Sequence, residues 1–495
     1  MTTVGPRPET AAASETFSSW SPATGTPVGT FPVHTAADVH ATVERAQDAA
    51  QWWSSLGFTG RSERLAQWRK LFVHRQAQLI DLMRAETGKS LADARLEFVL
   101  ALEHIAWAGK HARKVLRPQR RRAGLLMANQ AATVEFQPLG VIGVIGPWNY
   151  PLLTPIGSIV YALAAGNAVV FKPSEHTPAV GRWLADTFAE VATEHPVFQT
   201  VTGFGPTGDA LARSRVDKIA FTGSTATGKK IMAAAAEALT PLIIEAGGKD
   251  PLLVDADADV NAAAEATIWG AFTNAGQTCI GIERVYVHEQ IYDEFVRKVT
   301  SLSRQIHAGE DYGPMTTPNQ LDIVSTHITD ALSQGGTALV GGADAVNDRY
   351  VQPTVLIDVP EDATAVQEET FGPTVTITKV ADMDEAIRKA NGTRYGLGAA
   401  VFSRARGVEL ARRLRTGMVS VNAPLSFAAI ASLPYGGMGD SGFGRIHGEE
   451  GLREFTRAKS IARQRFAAPI SLTTFQRSPR LDARVDAIIK LLYGR

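Results

Sequence analysis

Cys279 is the only cysteine in the 495-residue chain, and it ends the segment Asn274-Ala275-Gly276-Gln277-Thr278-Cys279. Most lone cysteines are buried and inert. Here Asn274 and Gly276 stop an apolar helical stretch just before the thiol. That puts Cys279 at a turn between elements, where it can face a cleft and act as a nucleophile. No basic residue adjoins it in sequence, so no device for lowering its pKa is visible at this level. Glu245 closes an apolar run and is followed by Ala246-Gly247-Gly248-Lys249. A carboxylate at the carboxyl end of a strand lies where parallel sheets build their sites. Near a nucleophile it is a candidate general base; read alone it is equally a surface acid opening a loop. Asn149, in Pro147-Trp148-Asn149-Tyr150-Pro151, offers amide N–H groups to a developing oxyanion, against the plainer reading of a turn amide between two prolines. The segment from Gly223 and Ser224 to Gly228 follows an apolar run and opens a helix, where free N–H groups and the helix dipole favour phosphate. It approaches a P-loop, but Lys230 stands where a Ser or Thr would hold Mg²⁺, and Gly140, Gly143 and Gly146 lack the G-x-G-x-x-G spacing.

The elements around these residues predict how they are positioned. Short apolar runs at 141–145, 168–171, 198–201, 218–221 and 242–245 read as strands, separated by helical segments at 152–165, 180–194, 207–213 and 225–238. Such alternation implies right-handed crossovers and a parallel sheet. A second alternating run follows, with strands at 252–254, 284–288, 337–340, 374–380, 399–402 and 418–421 and helices at 291–305 and 383–391. Before the first sheet, Thr35 with Asp38 three residues on predicts a capped helix, and Gly88 ends another. The first 20 residues read as loose, and Leu481 to Tyr493 as an amphipathic helix.

Fifty basic residues balance fifty acidic ones, so nothing points to nucleic acid or an anionic membrane. One cysteine cannot form an intrachain disulfide. The nearly apolar stretch from Ile156 to Phe171 is interrupted by Ser158, Gly166 and Asn167 and falls short of the roughly 20 residues of a spanning helix. It reads as buried helix plus strand, and the protein is expected to be cytoplasmic with no integral membrane segment. The basic run from Arg113 to Arg122 reads as solvated surface rather than an anion site.

Taken together and in order, Pro147-Trp148-Asn149, Lys172-Pro173-Ser174-Glu175, Phe221-Thr222-Gly223-Ser224, Glu245-Ala246-Gly247-Gly248-Lys249, Gly276-Gln277-Thr278-Cys279, Glu369-Thr370-Phe371-Gly372-Pro373 and Ser441-Gly442-Phe443-Gly444-Arg445 resemble the aldehyde dehydrogenase superfamily. The resemblance runs from about Phe17 to Lys459. It implies that Cys279 attacks an aldehyde, that Asn149 and the Cys279 backbone N–H hold the oxyanion, and that a thioester forms and is hydrolysed by water activated by Glu245. It also implies a dinucleotide site. Lys172, Ser174 and Glu175 match the adenosine-ribose segment, Gly223 and Ser224 the pyrophosphate turn, and Glu369 and Phe371 the nicotinamide-ribose end, with Pro147, Trp148 and Gly247 lining it. Glu175 accepts from a 2′-OH and repels a 2′-phosphate, which favours NAD⁺, with NADP⁺ the alternative. Tyr150, Leu153, Thr154, Thr278 and Ile280, with the loop 426–433, line the expected substrate pocket, which offers no Arg or Lys to a substrate carboxylate. No metal is implied.

Departures exist. Ala246 stands for the usual Leu, Met438-Gly439-Asp440 lacks the usual lysine, and Ile446-His447 replaces a common Glu; the pattern is nearer the class-three branch. The implied architecture is α/β: a Rossmann-like NAD-binding domain (1–119 and 139–245, with part of 434–453), a second α/β catalytic domain (246–433), a small β oligomerisation element (120–138 and 454–466) and a helical tail (467–495). A homodimer or homotetramer acting on a small-molecule aldehyde is expected. Rival readings are a P-loop hydrolase, a non-catalytic binding protein on the same fold, and an acylating member that passes the acyl group to coenzyme A. The last usually lacks an acid at the Glu245 position.

Overall fold

The computed structural model describes residues 15–467, 474–476 and 478–494. The first strand–helix alternation forms a six-stranded sheet in the order Gly442–Phe443, Leu242–Glu245, Lys218–Thr222, Val141–Ile145, Ala168–Lys172, Phe198–Thr200. Its strands are parallel except Gly442–Phe443, which runs antiparallel at the edge and sets Gly442 opposite Glu245. Val141–Ile145 and Ala168–Lys172 are buried throughout, as expected for strands covered by helices on both faces. The helix Leu153–Ala165 is buried almost along its whole length and stops at Gly166, whose φ of 107° a side chain rarely adopts. This is the apolar stretch that falls short of a membrane span. The chain's next strand lies on one side of Val141–Ile145 and a later one, Lys218–Thr222, on the other. Loops leaving the carboxyl ends there diverge and open a crevice.

The second alternation forms a seven-stranded sheet in the order Thr337–Val340, Thr354–Ile357, Thr374–Val380, Ile282–His288, Asp250–Val254, Ala400–Phe402, Ser420–Val421, parallel except at Thr337–Val340. Leu253, Tyr286 and Val401 of this sheet pack with Met383, Ile387 and Leu410 of two crossover helices. The class is mixed α/β with parallel sheets, as expected.

Two local readings need correction or extension, and a third holds. The loose N-terminal reading fails from Thr16 onward: Thr16–Trp20 pairs antiparallel with Pro27–Pro32, and Phe17 packs on Phe31 and on Phe204, 5.0 Å away. The remainder of that reading, residues 1–14, lies outside the described residues. A 26-residue helix, Leu91–Leu116, absorbs Arg113 and Lys114 in its last turn, where cations complement the dipole. The Thr35–Asp38 capping box is present at the start of Ala36–Ser55.

Leu116–Gln137 and Ala458–Arg495 form a separate compact unit. Gln119–Arg121 pairs antiparallel with Gln130–Pro138, and Thr456–Gln464 lies on the other side of Gln130–Pro138. Asn129 donates to the Phe466 carbonyl at 3.2 Å within the same unit. The helix Pro479–Tyr493 is capped by Ser478, which accepts from the Leu481 N–H.

Candidate active site

Val260–Phe272 ends in a turn in which Asn274, Ala275 and Gly276 are all left-handed, with φ of 52°, 57° and 70°. Each non-glycine residue there costs roughly 1–2 kcal/mol, so the turn persists only because its surroundings fix it. Asn274 donates to the Gln277 carbonyl at 3.1 Å and to the Asn149 carbonyl at 3.2 Å. Gln277 donates back to Asn274, and its side-chain oxygen accepts from the Thr316 N–H. A Cβ on Gly276 would meet the Gly372 carbonyl oxygen at 2.1 Å, so only glycine fits. The turn delivers Cys279 to the wall of two cavities at once.

Tyr435 faces the thiol, its Oη 3.6 Å from Sγ. Burial pushes the Cys279 thiol well above its ordinary value, and Glu245, Glu369 and Asp250 add to this while the Tyr435 hydroxyl opposes it. No cation enters among these groups, in keeping with the absence of a basic neighbour in sequence. Glu245 ends its strand fully buried and accepts from Thr222 Oγ1 at 3.1 Å. Burial pushes its carboxyl up to about 7, against hydrogen bonds from Thr222 and Tyr435. A carboxyl near 7 is suited to general base work at neutral pH.

Asn149 is buried beside the same turn and donates one amide N–H to the Gln277 carbonyl at 3.0 Å. The amide has a second N–H to offer. The Asn149 carbonyl is held by Lys89 Nζ at 2.9 Å. Lys89 pairs with Glu97 at 2.5 Å, both side chains wholly buried, and the other Glu97 oxygen accepts from the Leu152 and Leu153 N–H groups. This pair pins both ends of the Asn149 loop. Lys89→Met would leave Glu97 buried without its counter-ion, and removing one partner of a buried pair typically costs about 3–5 kcal/mol. The expected result is a denaturation midpoint lowered accordingly; an unchanged midpoint would show that the pair does not carry the loop.

The first cavity runs from Cys279 past Asn149, Trp148, Gly247, Glu369 and Phe371 to Gly223 and Ser224. A crevice sharing Pro147, Trp148, Gly223 and Ser224 continues it to Lys172, Ser174 and Glu175. Ser224 caps Thr225–Ala236 by accepting from the Thr227 N–H. Lys172 Nζ lies 3.5 Å from Glu175 Oε2. Glu369 is half-buried, accepts from the Gly248 N–H at 3.0 Å, and is pushed up to about 8 chiefly by desolvation. A Cβ on Gly247 would meet the Glu369 carboxylate at 2.1 Å, which explains the glycine. Phe371, at φ 53°, meets Trp148 edge-on at 5.6 Å. The second cavity, on the other side of Cys279, is lined by Tyr150, Leu153, Thr154, Thr278 and Ile280 together with Ser426, Ala428 and Ala429 of the 426–433 loop. All the site residues proposed from sequence thus fall on one connected system with Cys279 at its centre.

The family model described as "Aldehyde dehydrogenase family" matches residues 10–461. The chain belongs to the aldehyde dehydrogenase family.

Among its relatives, a Mycobacterium ulcerans protein named "Putative succinate-semialdehyde dehydrogenase [NADP(+)] 2" is 38% identical, over 89% of this chain and 87% of the relative. A Methylomonas sp protein named "4,4'-diapolycopene aldehyde oxidase" is 36% identical, over 97% and 92%. The crystal structure of an NAD-dependent aldehyde dehydrogenase from Sinorhizobium meliloti matches with a TM-score of 0.88 and 32% identity, covering 93% of each chain. This aldehyde dehydrogenase is accordingly an oxidoreductase that acts on aldehydes. Sequence reasoning missed three groups in its site. Tyr435 precedes a glycine-rich motif and reads there as an ordinary packing aromatic. Lys89, just after the Gly88 cap, and Glu97, on a helix, read as ordinary surface charges. Lys249 and Glu283 form a buried pair, and Glu283 accepts from the Thr370 N–H at 2.9 Å and the Phe371 N–H at 3.0 Å, fixing the Glu369–Phe371 turn. Only the Lys249 half lay within a recognisable motif.

Proposed function

We propose that this enzyme oxidises an aldehyde to the carboxylic acid with NAD(P)⁺ through a thioester on Cys279. The observation that carries this is the position of Cys279. It lies on the wall shared by an apolar cavity and a long crevice that ends at a helix N-terminus, with the buried acid Glu245 lining the apolar side. The crevice fits a dinucleotide: Gly223 and Ser224 lead into the N-terminus of Thr225–Ala236, which favours a pyrophosphate, Lys172 and Glu175 would meet a ribose, and Glu369 and Phe371 lie at the Cys279 end. A nicotinamide seated there supplies the acceptor for the two electrons of the oxidation. Sγ of Cys279 bonds to the aldehyde carbon to give a thiohemiacetal. The free Asn149 amide N–H and the Cys279 backbone N–H hold the oxyanion. With its C–H bond broken and the hydride given to that acceptor, the carbon would become a thioester. Glu245 takes a proton from water, whose oxygen attacks that carbon, and the Cys279 thiolate leaves.

The sheet formed around Val141–Ile145 is the cofactor part in this reading (1–119 and 139–245, with part of 434–453), and 246–433 carries the nucleophile. The β element at 120–138 and 454–466 is assigned to a homodimer or homotetramer. Exposure of Leu125, Leu126 and Met127 within it supports that assignment.

The reading favours NAD⁺. Burial works against ionising Glu175, but Lys172, the residue's own N–H and His176 outweigh it and hold the carboxyl below its ordinary value. An ionised Glu175 repels a 2′-phosphate, and a net repulsion of about 1.4 kcal/mol is already tenfold. The name of the M. ulcerans relative carries NADP(+), so the test is direct. Wild-type kcat/KM is expected to be at least about tenfold higher with NAD⁺ than with NADP⁺, narrowing in Glu175→Ser. A wild-type preference for NADP⁺ would refute the assignment.

A further inference from the structure

The second cavity identifies the class of aldehyde, an inference that rests on the oxidation proposed above. Leu153, Ile280, Leu425 and Ile446 line the cavity together with Cys279. Its opening is marked by Leu96 of Leu91–Leu116 and Trp269 of Val260–Phe272, which are 40% and 41% exposed. Two large apolar side chains from different helices therefore stay wet on one rim, although Leu153 and Ile280 already wall the inside. Exposed apolar groups gathered at a cavity mouth mark a surface that a ligand covers.

Most hydroxyls of the lining are already engaged, while His447 Nε2 has no hydrogen-bond partner among the described residues. Thr273 donates to Asp93 at 2.7 Å, Thr278 pairs with the Tyr150 hydroxyl at 2.9 Å, and Ser426 donates to Ser420 at 3.0 Å. The lining contains no Lys or Arg. Its carboxylates are Glu97, already paired with Lys89, and Glu245. His447 is packed against His104 with ring centroids 3.8 Å apart, and burial holds both rings below their ordinary values, so neither supplies a cation. A carboxylate on the substrate would be desolvated here without a counter-ion and beside like charge.

We propose that the substrate is an uncharged aldehyde with an extended apolar tail. Its carbonyl sits at Cys279, and its tail runs between Leu153, Ile280 and Leu425 to the rim of Leu96 and Trp269. This differs from what the name of the M. ulcerans relative says of that protein, since a succinate semialdehyde carries a carboxylate.

The test compares kcat/KM of the wild-type enzyme for n-alkanals from propanal to decanal and for succinic semialdehyde. The expected result is a rise with chain length, up to about fourfold per methylene, the equivalent of about 0.8 kcal/mol. Succinic semialdehyde is expected to fall at least about 100-fold below pentanal, the cost of about 2.7 kcal/mol for an unpaired buried charge. The double variant Leu96→Ser, Trp269→Ser, altered at exposed positions, is expected to lower the decanal-to-propanal ratio of kcat/KM about tenfold, the equivalent of about 1.4 kcal/mol. If alkanals are oxidised but succinic semialdehyde is preferred, or the chain-length series is flat, the inference is overturned while the oxidation reading stands. If the rim variant leaves the ratio unchanged, the tail does not run over Leu96 and Trp269 and the inference is likewise overturned. If no aldehyde is oxidised, both fail together.

Discussion

Cys279→Ser is expected to lower aldehyde oxidation by a factor on the order of 10⁴–10⁶, the scale on which covalent enzymes respond to loss of their nucleophile. The reason is specific to this site. The thiol is the chain's only one, and its surroundings already disfavour the anion through burial and three carboxylates. A thiol tolerates that because sulfur is intrinsically nucleophilic; a hydroxyl in the same place is both harder to deprotonate and a poorer nucleophile. The fold is expected to survive. The conformation of the turn is set by Asn274, Gly276 and Gln277 rather than by the side chain at 279. Steady-state turnover, paired with a fluorescence titration of NADH binding, checks both halves. Wild-type-like turnover would remove Cys279 from the mechanism, and loss of NADH binding would make it a structural residue instead.

Glu245→Gln is expected to separate acylation from hydrolysis. The amide is nearly isosteric and can still meet the Thr222 and Tyr435 hydroxyls, so the cavity keeps its shape. It cannot accept a proton from water. General base catalysis typically contributes about 10²–10⁴-fold, and the steady-state rate should fall by that much while the first turnover is largely kept. The wild-type pH dependence carries the same signature. With its carboxyl pushed up to about 7, Glu245 is the competent base above that pH and loses competence as pH falls through it. Wild-type deacylation should therefore climb between about pH 6 and 8, and the Gln variant should lose that limb of the profile. A variant that retained the limb would show that another group, with Glu369 the nearest candidate, activates the water.

Much of this site was legible in the sequence because its chemistry is local. Gly276 marks a close approach of backbone, and Glu245 ends a strand whose apolar run is unmistakable. Both parallel sheets follow from strand–helix alternation, which survives without knowledge of long-range contacts. What sequence did not disclose depends on tertiary placement. Lys89 and Glu97 look like surface charges until folding buries both and brings them together behind Asn149. Tyr435 is one aromatic among many until its hydroxyl meets the Cys279 sulfur. Thr16–Trp20 reads as a loose end because its stability comes from Phe31 and from Phe204, far along the chain. The left-handed conformation of Asn274 and Ala275 is likewise invisible locally, since only the ring of hydrogen bonds around Gln277 holds it.

The central claim is that one residue, Cys279, carries the substrate carbon covalently until Glu245 releases it. Intact mass spectrometry of the Glu245→Gln variant, quenched in acid shortly after mixing with NAD⁺ and an alkanal, tests this most directly. The account predicts a mass increase equal to the acyl group, at close to one per chain and mapping to the peptide that contains Cys279, with NADH formed in the same amount and no increase when Cys279 is also changed to Ser. NADH formed over many turnovers with no acyl mass on the protein, or acyl mass that persists in the Cys279→Ser background, would contradict it.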